Sequence, residues 1–305
     1  MAKNPFRPRA PSETFLRDTQ SAKIAKDKLR FVLEYGVLAP GGHPWMINIG
    51  DSAIDLRLGH RCERAAHDRL HRDAIIGCGI GLTQLKLALR QLGCIDSTIP
   101  LPEETQPDLL ARVYIDHVED QADPQSFVLY QALYTPISKV PRMIDSSFQE
   151  ELAAHAIQER AMIAFTTTEA LPKSDAAAPC GAPTLGSVVR RLAWMESRVV
   201  QPGAPAEVGG EVSFEGSIGA VIATKGDTVA DWLAAGQALA RVALRARVEG
   251  FFTHVERAAH GARLPDGAYA QIVLRIGVPQ GYAGTGSQPP PPQGPLFPGR
   301  NARSV

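Results

Sequence analysis

The stretch RDAIIGCGIGLTQLKLALRQLGC, residues 72–94, decides the fold, because it places three alternate glycines ahead of a strongly apolar run. It has two readings. In one, Ala74-Ile75-Ile76 ends a strand, Gly77, Gly79 and Gly81 form a phosphate-cradling turn, and Asp96 lies where a ribose partner belongs. In the other, the whole stretch is a single helix with small residues at intervals. The strand–turn reading puts Leu82 where the third glycine of G-x-G-x-x-G should stand, and it leaves a very short strand directly after Arg72-Asp73. The helix reading accounts for more. Cys78, Leu82, Leu85, Leu89 and Leu92 recur at alternating spacings of four and three, which makes one apolar stripe. Asp73 suits a first helical turn, and Gly93 suits a left-handed C-terminal residue. Each interior glycine costs about 0.5–1 kcal/mol against alanine, so a glycine-notched helix is expected where another backbone or a flat ligand comes close.

A second copy of this helix lies further on. WLAAGQALARVALRARVEG, residues 232–250, aligns with the first at an offset of 157, which sets Gly236 on Gly79, Leu244 on Leu87 and Gly250 on Gly93. Each copy has an apolar strand candidate before it and another after it, LARVYI (110–115) in the first and QIVLRIGV (271–278) in the second. An offset near half the 305-residue length is what a duplicated unit requires. The second copy keeps only the middle glycine, a loss that a phosphate loop could not tolerate.

Around these copies the pattern predicts a helix at 21–39 stopped near Pro40, strands at 45–49 and 53–58, a helix at 147–158, a strand at 161–168, a helix at 185–198, a strand at 218–224 and a helix at 229–249. The stretches 170–183 and 202–210 read as loops, and the tail SQPPPPQGPLFPGRNARSV as an extended surface segment. The implied organisation is an arm at 1–20, a first half at 21–125, a second half at 126–280 with a loop-rich insert at 170–210, and a Pro-rich tail at 281–305.

Lys plus Arg and Asp plus Glu each number 32, so no net field favours nucleic acid or an anionic membrane surface as partner. The N-terminal stretch has no apolar signal-peptide core, and no run reaches the roughly 18 apolar residues of a membrane span. The four cysteines show no C-x-x-C spacing, which fits a reduced, cytoplasmic protein. His67 and His71, four apart with His60 nearby, could seat a metal if helical, but no third ligand has compelling spacing, so no metal site is expected. There is no G-x-S-x-G elbow and no Walker sequence.

Three stretches carry a family resemblance: Ala39-Pro40-Gly41-Gly42-His43-Pro44-Trp45, Arg72-Asp73-Ala74-Ile75-Ile76-Gly77-Cys78-Gly79, and Asp231-Trp232-Leu233-Ala234-Ala235-Gly236-Gln237-Ala238-Leu239. In order and spacing the chain resembles the nitroreductase family, and within it the fused Acg-type branch that holds two nitroreductase-like halves in one polypeptide. The resemblance spans about residues 29–280. It implies an α+β fold with central helices flanked by antiparallel sheet, an internal pseudo-dimer that leaves a monomer possible, and FMN as cofactor. NAD(P)H would be the electron donor, and a nitro compound, quinone or other small molecule the acceptor.

The implied cofactor-binding residues are Gly41, Gly42 and His43 in the first loop, Lys139 as phosphate cation, Thr253 at the head of Thr253-His254-Val255-Glu256-Arg257, and Arg300 reaching back from the tail. The resemblance assigns no catalytic residue. The chain departs from the pattern in places. The family's Ser is Gly41 here, its Asn and Gln are missing from a shortened loop, and lysine replaces arginine in the phosphate segment at Ile137-Ser138-Lys139. Lysine is a point charge without the arginine fork, so phosphate grip should weaken. The alternative is therefore a non-enzymatic nitroreductase-like protein that sequesters flavin or has lost it, with 170–210 as a cover. Trp45 is expected to pack in the core.

Overall fold

The computed structural model describes residues 45–50, 53–59, 68–118, 123–133, 143–167, 214–258 and 262–279. The expected helices at 21–39 and 185–198, the loops at 170–183 and 202–210 and the tail lie outside the described residues. The first set of elements runs β1 (Trp45–Ile49), β2 (Ala53–Leu58), α1 (Asp68–Gln91), β3 (Cys94–Pro100) and β4 (Leu109–Val118). Two shorter helices follow, α2 (Pro124–Ala132) and α3 (Ser146–Gln158). The second set is β5 (Met162–Thr166), β6 (Phe214–Thr224), α4 (Val229–Val248), β7 (Phe252–Ala258) and β8 (Tyr269–Pro279). Each set reads strand, strand, helix, strand, strand. Each builds a four-stranded antiparallel sheet of one order, β1-β2-β4-β3 in the first and β5-β6-β8-β7 in the second.

Residues 72–91 are helical throughout, and every strand pairing among the described residues is antiparallel, which removes the dinucleotide-binding alternative with its strand and turn at 74–81. The fold class is α+β. The helix begins at Asp68, earlier than the stripe suggested, so Asp73 is not a first-turn residue and the macrodipole is not what places it there.

Helix α1 lies on the first sheet and α4 on the second, and the two helices pack on each other. Their contact explains the glycines. A Cβ on Gly79 would stand 2.9 Å from Gln237 N and Gly236 Cα, and closer still to Leu233 O. A Cβ on Gly236 would stand 2.8 Å from Ile76 C and 3.0 Å from Gly79 Cα, and closer still to Ile76 O. Ile76 and Leu233 are themselves separated by the same 157 positions as Gly79 and Gly236. That reciprocity is what a twofold axis through the crossing produces. The approaching partner is thus another backbone. At Gly81 it is a flat ring belonging to the chain itself, since a Cβ there would lie 2.8 Å from Trp45 Cδ2. Trp45 is buried, as expected of a core residue.

Other features repeat with the same logic. Gly93 and Gly250 end the two long helices with φ of 78° and 90°, a conformation that glycine adopts without strain. Leu87 and Leu244 meet in one cluster with Leu129, Ala132 and Leu133, where α2 closes over the helix pair. Ala111 of β4 stands opposite Leu56 and Pro100, while Leu109 is the next residue of β4 to pair with β2, opposite Arg57. Ile272 of β8 stands opposite Ile222 and Ala258, while Ala270 is the next to pair with β6, opposite Ala223. Leu110 and Gln271 are therefore the extra residues of matching β-bulges on matching central strands.

The other ends are held by ordinary capping. Asp123 accepts from Ser126 N at 2.7 Å and Asp145 from Phe148 N at 2.8 Å, starting α2 and α3. Thr228 and Asp231 form a capping box on α4. Strands β3 and β7 and helix α2 are additions to the sequence-based reading.

Candidate functional site

The densest buried polar group lies where the first part of α1 meets the turn before α4 and the start of β8. Arg72 projects from α1 and is only 5% exposed. Its Nη2 donates to Gln271 Oε1 and to Ala270 O at 3.4 Å, and lies 3.2 Å from Asp227 Oδ1. The guanidinium also sits over the Trp232 ring, 5.6 Å from its centroid. All four of these partners belong to the second half. The bulge at Gln271 aims a fully buried amide into this group, and Gln271 Nε2 donates to Thr224 Oγ1 at 2.7 Å, Gly226 O at 3.2 Å and Asp227 Oδ1 at 3.3 Å. Asp227 Oδ1 accepts from Trp232 Nε1 as well, at 2.6 Å. One carboxylate oxygen thus gathers three donors, a strong arrangement in a dry setting.

Asp73 lies beside this cage. Burial pushes its carboxyl up to about 6, against the opposing pull of Arg72. Its Oδ1 is buried and accepts no hydrogen bond. Burial also lowers the Arg72 guanidinium from its usual value, while Asp227 and Asp73 raise it. Chemically this end of the helix pair can hold a proton on an acid and a fixed positive charge beside it.

A second polar group sits farther along the helix pair. Lys86 Nζ reaches Glu159 Oε2 and Gln237 Oε1, each at 3.4 Å. Glu159 Oε1 lies 3.6 Å from Arg241 Nη1, and Arg241 Nη2 donates to Gln158 Oε1. His155 of α3 is buried nearby, and burial, helped by Arg241 and Arg245, lowers it to about 4. Lys86, Glu159 and Arg241 are paired within this group, while His155 Nδ1 is buried without a hydrogen-bond partner, and the group ties α3 to the helix pair.

Of the residues chosen from sequence, Gly41, Gly42, His43, Lys139 and Arg300 lie outside the described residues. Thr253 is on β7, opposite Ile276, and its hydroxyl is buried without a hydrogen-bond partner. Among the described residues no group of three or more His, Cys, Asp or Glu side chains could hold a metal ion. Cys78 and Cys94 are buried, and burial followed by the Asp96 charge pushes the Cys94 thiol up to about 11, which makes it a poor nucleophile. No helix of the described residues is long and apolar enough to cross a membrane.

The cage was not singled out as a site by sequence, although Arg72, Asp73 and Trp232 stood within the quoted motifs. The available signals were a glutamine heading the apolar strand at 271 and an aspartate at 227 just before a helix cap. A search against protein-family models found none that matches the chain, and a search of curated proteins found no match either.

Proposed function

We propose that the chain is an FMN-binding oxidoreductase of the nitroreductase type, moving electrons from NAD(P)H to a nitro compound, a quinone or another small acceptor. The observation that carries this reading is the doubled strand–strand–helix–strand–strand unit, whose two helices bear the resembling motifs and cross at Gly79 and Gly236. Central helices flanked by antiparallel sheet are what that resemblance implies. The flavin would supply the electron chemistry, and the chain would bind and orient it. Thr253 fits such a role, because a buried hydroxyl without a partner in the chain is suited to a polar ligand group. Gly41, Gly42, His43, Lys139 and Arg300 complete the proposed set, with Lys139 on the phosphate.

One observation favours a second reading, a non-enzymatic protein that binds or has lost flavin. The notch at Gly81 is filled by the chain's own Trp45 ring, so that part of α1 offers no open face to a foreign ring. Together with the missing polar residues of the 40–45 loop, this points to loose binding.

Titrating the purified protein with FMN and with riboflavin tests both readings. FMN should bind, and Lys139→Ala should weaken FMN by about tenfold while leaving riboflavin unchanged, since only FMN carries the phosphate. Equal losses for both ligands remove Lys139 from that role. Binding without NAD(P)H oxidation in the presence of quinone supports the non-enzymatic reading. A protein that ignores added FMN overturns the flavin reading altogether.

A further inference from the structure

The cage around Arg72 is a seam between the halves, and its hydrogen bonding is unevenly shared. Arg72 Nη2 has two N–H bonds and three acceptors within reach: Asp227 Oδ1, Gln271 Oε1 and Ala270 O. Asp73, the next residue along α1, has a buried oxygen that accepts from nothing. Two carboxylates from opposite halves therefore stand around one guanidinium, and only Asp227 is paired to it.

We propose that Asp73 is a proton-operated latch on this seam: protonated, it leaves Arg72 to the second half and the seam closes; ionised, it draws Arg72 away and that end loosens. A neutral carboxyl tolerates burial with an unused oxygen, whereas an ionised one in the same place is costly until a donor or water reaches it. Among the described residues the charged donor that acts on Asp73 is Arg72, whose departure would take one donor from each of Asp227, Gln271 Oε1 and the Ala270 carbonyl.

Among the described residues, the other charged groups at this end are engaged elsewhere or exposed. Among the described residues Arg72 is the charge that acts on Asp73. Asp227 is held by Arg72, Trp232 and Gln271, Asp231 is engaged in the capping box with Thr228, and Lys225 is exposed. Strand β8 contributes the neutral Gln271. Burial places the Asp73 transition near pH 6, within the range where a protein works. The latch operates whether or not a flavin is bound.

Amide hydrogen exchange of the full chain between pH 5 and 8, corrected for the intrinsic pH dependence of exchange, tests this. Peptides covering 72–80 and 227–235 should lose about tenfold in protection as pH rises through 6, while peptides from β2 and β4 stay constant. Asp73→Asn should hold the pH 5 level of protection at every pH. Protection that is flat in the parent chain, or a transition that persists in Asp73→Asn, overturns the proposal. So does an Asp73→Asn chain that fails to fold, because the uncharged form is the one that closes the seam.

Discussion

Leu110 and Gln271 occupy one place in two copies of one architecture. Each is a bulged residue on an inner strand of its sheet, and each is fully buried. Leu110 belongs to the main apolar core, whereas Gln271 is bonded to Arg72, Thr224, Gly226 and Asp227. The offset of 157 that places Gly79 on Gly236 also places Arg72 on Val229 and Ile75 on Trp232. At equivalent positions, then, one copy carries a polar or amphipathic residue where the other carries an apolar one. What the duplication retains is backbone geometry: strand order, bulge, helix crossing and the turns at Gly93 and Gly250. The chemistry carried on that geometry has diverged, as expected when scaffold and site answer to different constraints.

The largest expected effect attacks what the halves share. Gly236→Val puts a branched side chain against Ile76 O and Gly79 Cα, which are backbone atoms and cannot swing away. The gain in helix propensity over glycine is only a few tenths of a kcal/mol, against an overpacking cost of about 3 kcal/mol or more. Gly79→Val meets the reciprocal contacts, so its loss in urea denaturation should match that of Gly236→Val. A loss below about 1 kcal/mol in either would mean that the crossing is not close-packed.

Exchanging the chemistry of the two bulges should have smaller and unequal effects. Leu110→Gln buries an amide among apolar side chains with no cage to receive it, at a cost of about 3 kcal/mol. Gln271→Leu removes partners from Arg72 and Thr224 but keeps the volume, at a cost of about 1–3 kcal/mol. The double exchange cannot rescue either loss, since Arg72 and Asp227 stay beside position 271. Chemical denaturation of the three variants measures this, and a tolerated Leu110→Gln would show that the surroundings of Leu110 also hold water or a partner.

Much of this architecture was legible in sequence for an identifiable reason. The paired helices combine a long apolar period with glycines at a common offset, and β2 alternates cleanly. Strands β3 and β7 were not legible. CIDSTIP and FTHVERA are edge strands, paired on one side only, so neither needs a continuous apolar run. Helix α2 was missed because its exposed face carries Phe127 and Val128, which blurs the helical period. The start of α1 was placed late because the stripe, rather than a cap, served as the guide. The cage was hidden for a different reason: Arg72 and Gln271 lie 199 positions apart and meet only through the crossing of the two halves. A buried polar contact of that kind leaves no periodic trace.

The smallest effects lie in the pH dependence of stability, where the two polar groups act in opposite directions. Asp73 has a native value of about 6 against 3.8 for the unfolded chain, so between these limits the native state holds the proton more tightly. Its contribution to stability is therefore full below 3.8 and falls as pH rises towards 6. His155 is the reverse: about 4 in the native state against 6.5 unfolded, so between these limits the unfolded chain binds more protons. Its contribution is lost as pH falls from 6.5 towards 4 and restored as pH rises. The windows overlap between pH 4 and 6, and each slope is at most about 1.4 kcal/mol per pH unit, so in the parent chain the two largely cancel. Removing one exposes the other. Relative to the parent, Asp73→Asn should make stability climb more steeply from pH 4.5 to 6, and His155→Gln should make it fall. Asp55 and Asp123, whose values are lowered, act below this window and leave the difference untouched. Urea midpoints at closely spaced pH values measure both slopes. Slope changes of one sign in the two variants would show that the groups at the two places along the helix pair do not titrate independently.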